Sequence, residues 1–100
     1  MLHDPPTVHI GLLLLELRIP DAQSLKGKRK AVLSLKDRVR DKFNVSVAEV
    51  GELDKWQHAV IAVTSAANDH KLVDKILQSV RDYVGNDFRV HLVSAHVDFI

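Results

Sequence analysis

Eight of the fourteen basic side chains in this 100-residue chain fall in one stretch, SLKGKRKAVLSLKDRVRDKF, from Ser24 to Phe43. They are Lys26, Lys28, Arg29, Lys30, Lys36, Arg38, Arg40 and Lys42. Only Asp37 and Asp41 oppose them, so the stretch carries +6 and the remainder −5 against a total of +1. The chemistry open to such a cluster is anion binding. Ammonium and guanidinium groups neutralise phosphates and release condensed counterions, which gives salt-sensitive, sequence-tolerant affinity. The partner this predicts is RNA or a ribosomal particle, with Arg29, Lys30, Lys36 and Arg40 as leading phosphate contacts and Lys26 and Arg38 next. Two other arrangements use the same residues: a solvated helix face with Asp37 and Asp41 as local ion-pair partners, and a docking surface for an acidic protein.

The other reactive side chains are scattered. There is no P-loop, GxSxG or HExxH. Cysteine is absent, which removes disulfides, thiolate nucleophiles, iron–sulfur clusters and cysteine-based zinc sites. His91 and His96 lie five apart and leave opposite faces of a strand unless a bulge intervenes. His96 and Asp98 share a face that His9 could approach across an antiparallel pair, a spacing that no metal motif describes. Glu16 and Arg18 could serve as acid and base on one strand face, but cross-strand pairing accounts for them equally well. No catalytic residue, metal or cofactor is assigned. A binding protein is expected, with a small enzyme acting on an anionic substrate as the remaining alternative.

The elements that must position these residues follow from periodicity. Val8–Ile19 reads as a strand closed by Pro20-Asp21. Ser24 is placed to cap a helix in which Leu25, Val32, Leu35, Val39 and Phe43 form the apolar arc. Lys26, Arg29, Lys30, Lys36 and Arg40 then point outward, and Leu33 joins them. Lys28 falls nearer the apolar side, where its stem is expected to snorkel past the core. Gly27 is expected to loosen the first turn. Val45–Val50 reads as a short strand, Gly51–Lys55 as a connection and Trp56–Ala66 as a long strand. Asn68 or Asp69 caps a second helix that runs to about Val84 and ends at Gly85-Asn86-Asp87. Phe88–Phe99 is the last strand.

This order predicts an α+β, ferredoxin-like βαββαβ domain over residues 1–100: a four-stranded antiparallel sheet with two helices on one face and the first and third strands central. Both faces of those central strands are apolar, yet the helices can cover only one. A homodimer through the open sheet face is therefore expected, using Ile10, Leu12, Leu14, Trp56 and Val60. An RRM-like mode is disfavoured, because the central strands offer only Trp56, at an end, as an aromatic. The loop Pro20–Leu25 also lacks the glycine nest that an acylphosphatase uses to cradle phosphate. No apolar run is long enough to span a membrane, and Met1–Thr7 has no cationic leader region. A cytoplasmic location is expected.

SLKGKR (Ser24–Arg29), FNVSVAEV (Phe43–Val50) and DKWQ (Asp54–Gln57) together resemble the YlxP-like family of small bacterial proteins of unknown function, over nearly the whole chain. The chain departs from the usual pattern at Gly27, where a charged residue is common, and at His58, where a basic one is. The resemblance implies a ferredoxin-like domain with no assigned enzymatic activity. Family members are often encoded beside translation-initiation and ribosome-maturation genes, which implies, by association, a role near the ribosome. It brings no established active-site residues with it.

Overall fold

The computed structural model describes residues 5–100; residues 1–4, part of the segment read as lacking a leader, lie outside them. The chain runs β1 (His9–Arg18), α1 (Leu25–Lys42), β2 (Ser46–Gly51), β3 (His58–Ala67), α2 (His70–Gly85) and β4 (His91–Phe99). The strands form one antiparallel sheet in the order β2-β3-β1-β4. This is the expected ferredoxin-like topology, with β1 and β3 in the middle.

Alternation decides which side of each strand is buried. Leu13, Leu15 and Leu17 of β1 and Ala59, Ile61 and Val63 of β3 point to one face and are almost wholly buried. Val32, Leu35 and Val39 of α1 and Val73, Leu77, Val80 and Val84 of α2 close over them. The first of these helices lies under β2, and the second under β1, β3 and β4. Gly11 permits the closest approach: a Cβ there would sit 2.7 Å from both Leu77 Cδ1 and Val73 Cγ1.

The helix starts follow their caps. Ser24 Oγ accepts the Gly27 N–H at 3.0 Å, and Asp69 Oδ1 accepts the Lys71 N–H at 3.0 Å. Gly27 lies within the helix, and its amide is the one the cap holds.

Several expected boundaries shift by a residue or more, and three shifts bear on the surface. Trp56 and Gln57 belong to the β2–β3 connection, Phe88–Val90 to the α2–β4 turn, and Val8 precedes β1. In the first two a side-chain anchor holds the segment outside the ladder. Gln57 donates its amide to the Pro20 and Ala22 carbonyls, both at 3.1 Å, and Asp87 Oδ1 accepts the Arg89 N–H at 2.9 Å.

Candidate nucleic-acid interface

Helix α1 sorts its cations by the angle at which each leaves the axis. At 100° per residue, Lys26, Arg29, Leu33, Lys36 and Arg40 recur at intervals of three and four residues and make a single stripe about 21 Å long. Lys26, Arg29, Leu33 and Arg40 are exposed and Lys36 half-buried. Lys30 lies beside the stripe, also exposed. The outward placement of Leu33, an oddity in the sequence, holds at 53% exposure. Arg40 reaches back to Asp37 at 2.7 Å with both side chains about half exposed. Such a surface pair contributes little and can open for a phosphate.

Arg38 does not join that stripe. It leaves the other flank of α1, toward α2, where its guanidinium donates to Asp87 Oδ2 at 2.6 Å. The Asp87 side chain is only 4% exposed. Burial alone would raise its pKa, but hydrogen bonds from the Arg89 guanidinium, from Arg38 and from the Arg89 backbone N–H, with the charge of Arg38, hold it at about 2. Arg89 is raised in turn, first by its bond to Asp87. Further along the same flank, Lys42 Nζ lies 5.5 Å from the centre of the Tyr83 ring.

Lys28 does not snorkel. Its side chain is fully buried, and its ammonium donates to Glu49 Oε2 at 2.8 Å, the Glu52 carbonyl at 2.8 Å, the His58 carbonyl at 3.2 Å and the Leu53 carbonyl at 3.3 Å. An ammonium has three protons, so the two long contacts share one. The stem could not reach solvent because the β2–β3 connection folds over its tip. Glu52 turns there through a left-handed backbone (φ 58°) that is costly for a residue with a side chain, and its carbonyl meets Lys28. The sequence signal was the position of Lys28 on the apolar arc. What it lacked was the partner, twenty-one residues away.

The open sheet face carries Ile10, Leu12 and Leu14 of β1 beside Val60 and Ala62 of β3, as register pairs Leu14↔Ala62 and Glu16↔Val60 require. Ile10 is 38% exposed, while Leu12, Leu14 and Val60 are half-buried by their neighbours within the sheet. Trp56 is not in β3 beside them; it stands 57% exposed in the β2–β3 connection. On β4 the same face is polar: Asp98 opposite Leu12, His96 opposite Leu14 and Ser94 opposite Glu16. Ser94 Oγ donates to Glu16 at 3.2 Å, so Glu16 has the cross-strand role.

The histidines are placed differently from the expectation. A bulge in β4 between Leu92 and Ser94 brings His91, opposite Arg18, onto the same face as His96, opposite Leu14. Four residues of β1 still separate them, roughly 13 Å. His9 takes the helix-side face, away from His96 and Asp98. It meets His70 edge-on at 5.7 Å, and His70 stacks on Phe99 at 3.9 Å. No three metal-ligating side chains converge among the described residues.

The fold and this surface define a small α+β protein with a cationic helix beside an open sheet. Residues 10–97 match the family described as Protein of unknown function (DUF503), and the chain belongs to that family. It is 36% identical over 75 residues to the Uncharacterized protein YlxP of Bacillus subtilis (strain 168), a match covering 75% of this chain and 82% of that protein. The resemblance carried by SLKGKR, FNVSVAEV and DKWQ is thus borne out. The family carries no catalytic assignment. Among the described residues no helix is long and apolar enough to cross a membrane.

Proposed function

We propose that the protein is a non-enzymatic, cytoplasmic RNA-binding protein that contacts RNA or ribosomal particles through the outer flank of α1 and works as a homodimer joined at the open sheet face. The observation that carries this reading is the stripe of Lys26, Arg29, Lys36 and Arg40, with Lys30 alongside, on a folded helix. Four cations along about 21 Å match the reach of a phosphate backbone, and among the described residues their only acid partner is the solvent-exposed Asp37. The missing aromatics on the central strands direct binding to the helix and away from an RRM-like sheet mode.

The test is the affinity of the full chain for single-stranded RNA across a salt series. Arg29→Glu with Arg40→Glu should weaken binding steeply and lower the slope of log affinity against log salt by about 1.4, two phosphate contacts at about 0.7 each. An unchanged slope, or no binding by the wild type even at low salt, defeats the proposal.

A further inference from the structure

We infer that Phe88, next to Arg89 in the α2–β4 turn and lining one recess with Arg38 of α1, is a stacking platform for one unpaired base of single-stranded RNA. The inference rests on the RNA-binding reading above and gives it a second contact, on the opposite flank of α1.

Phe88 is 93% exposed. Burying a phenylalanine stabilises a fold, and on a loose loop a ring left in water would be unremarkable. This loop is not loose. Asp87, immediately before Phe88, is fastened by Arg38 at 2.6 Å, by the Arg89 side chain at 3.0 and 3.2 Å and by the Arg89 N–H at 2.9 Å. The preceding residue, Asn86, caps α2 through its own N–H. The aromatic is therefore presented outward by a turn whose every neighbour is held.

The Arg89 guanidinium lies over the ring at 5.6 Å from its centre without covering it, and an incoming base meets an open ring. Arg38, Tyr83, Asn86, Asp87 and Arg89 line an open recess of about 290 Å³ with it. Among the described residues nothing bonds the Asn86 side-chain amide, which is free to meet a base edge. A π-face, the guanidinium N–H groups of Arg38 and Arg89 that Asp87 does not take, and a spare amide are the components with which sequence-tolerant single-strand binders hold a base. The recess and the cationic stripe are one helix width apart, about 10 Å, so a single strand crossing α1 engages both. A duplex cannot offer the unstacked base.

The test compares wild type, Phe88→Ala and Phe88→Trp for affinity to a single-stranded oligoadenylate of roughly twelve nucleotides and to an RNA duplex of the same length. Because Phe88 is solvent-exposed, both variants keep the fold. Phe88→Ala should lose about 5- to 100-fold on the single strand and nothing on the duplex, with an unchanged salt slope, and Phe88→Trp should restore binding. If Phe88→Ala binds the single strand like wild type while Arg29→Glu/Arg40→Glu does not, stacking is wrong and the RNA reading stands. Equal losses on strand and duplex also overturn the platform. If the wild type binds neither, both readings fall together.

Discussion

Replacing Lys28 by methionine keeps the volume of the stem and deletes the ammonium. Four acceptors then lose their donor: the Glu49 carboxylate and the carbonyls of Glu52, Leu53 and His58. Breaking a buried ion pair from one side costs roughly 3–5 kcal/mol, mostly because the other charge is stranded. Glu49 retains 14% of its side-chain exposure and can turn toward water, which places the cost near the lower end, at about 3 kcal/mol. For a chain of this size each kcal/mol shifts Tm by about 4–8 °C, so Lys28→Met should melt roughly 12–24 °C below wild type. Thermal and urea unfolding followed by circular dichroism reads this directly. Removing the stranded charge as well, in Lys28→Met/Glu49→Leu, should return part of the loss and give a coupling energy above about 1 kcal/mol. The sole tryptophan, Trp56, lies in the clamped connection, so its fluorescence anisotropy should fall in Lys28→Met well below the melting temperature. A variant that melts within about 4 °C of wild type would refute the clamp, because the four acceptors would then have satisfied themselves with water.

Two further outcomes follow from the same structure. Asp87→Asn should cost about 1–2 kcal/mol at pH 7, given a carboxylate whose pKa falls from 3.8 unfolded to about 2 folded and partners, Arg38 and Arg89, that water partly screens. A depressed acid contributes its stability above the unfolded value and loses it as pH falls through the folded one. The gap between variant and wild type in urea unfolding should therefore be full above pH 4 and close between pH 4 and 2; a gap constant across that window contradicts the ion pairing. For the dimer, sedimentation should show the wild type at twice the mass of Leu14→Glu, because a carboxylate at the centre of the open face would be buried unpaired; a monomeric wild type at high micromolar concentration removes the interface.

Much of the fold was legible because it rests on short-range periodicity. The 3.6-residue recurrence of Val32, Leu35 and Val39 and the two-residue alternation of Leu13, Leu15 and Leu17 each name their own buried face. Ser24 and Asp69 also act on neighbours two or three residues away. The sequence was silent where a side chain acts across a loop. Gln57 reads as a strand residue until its amide is seen holding Pro20 and Ala22. The bulge that carries His91 onto the face of His96 depends on the register of β4 against β1 and has no local mark. Asp87 and Arg89 are two residues apart, a spacing suited to an Asx turn, but only the approach of Arg38 from α1 makes Phe88 an outlier rather than the start of a strand.

The cluster of eight cations thus separates into groups doing different work. Lys28 is spent entirely on the protein, and Arg38 is committed to Asp87. Those two face the interior and the α2 flank, Lys42 lies over Tyr83 on that same flank, and what stays available on the outer surface is Lys26, Arg29, Lys30, Lys36 and, by opening a weak pair, Arg40. Lys28 belongs to SLKGKR, and two of its acceptors bracket DKWQ in the β2–β3 connection. Glu49, its carboxylate partner, belongs to FNVSVAEV, so all three motifs that carry the family resemblance meet in space as one corner of the scaffold. That corner fixes the start of α1 relative to the sheet, and with it the direction in which the stripe points. Charge reversal within the stripe should leave that corner, and hence the melting temperature, nearly unchanged, whereas loss of Lys28 should reach the stripe only through the fold.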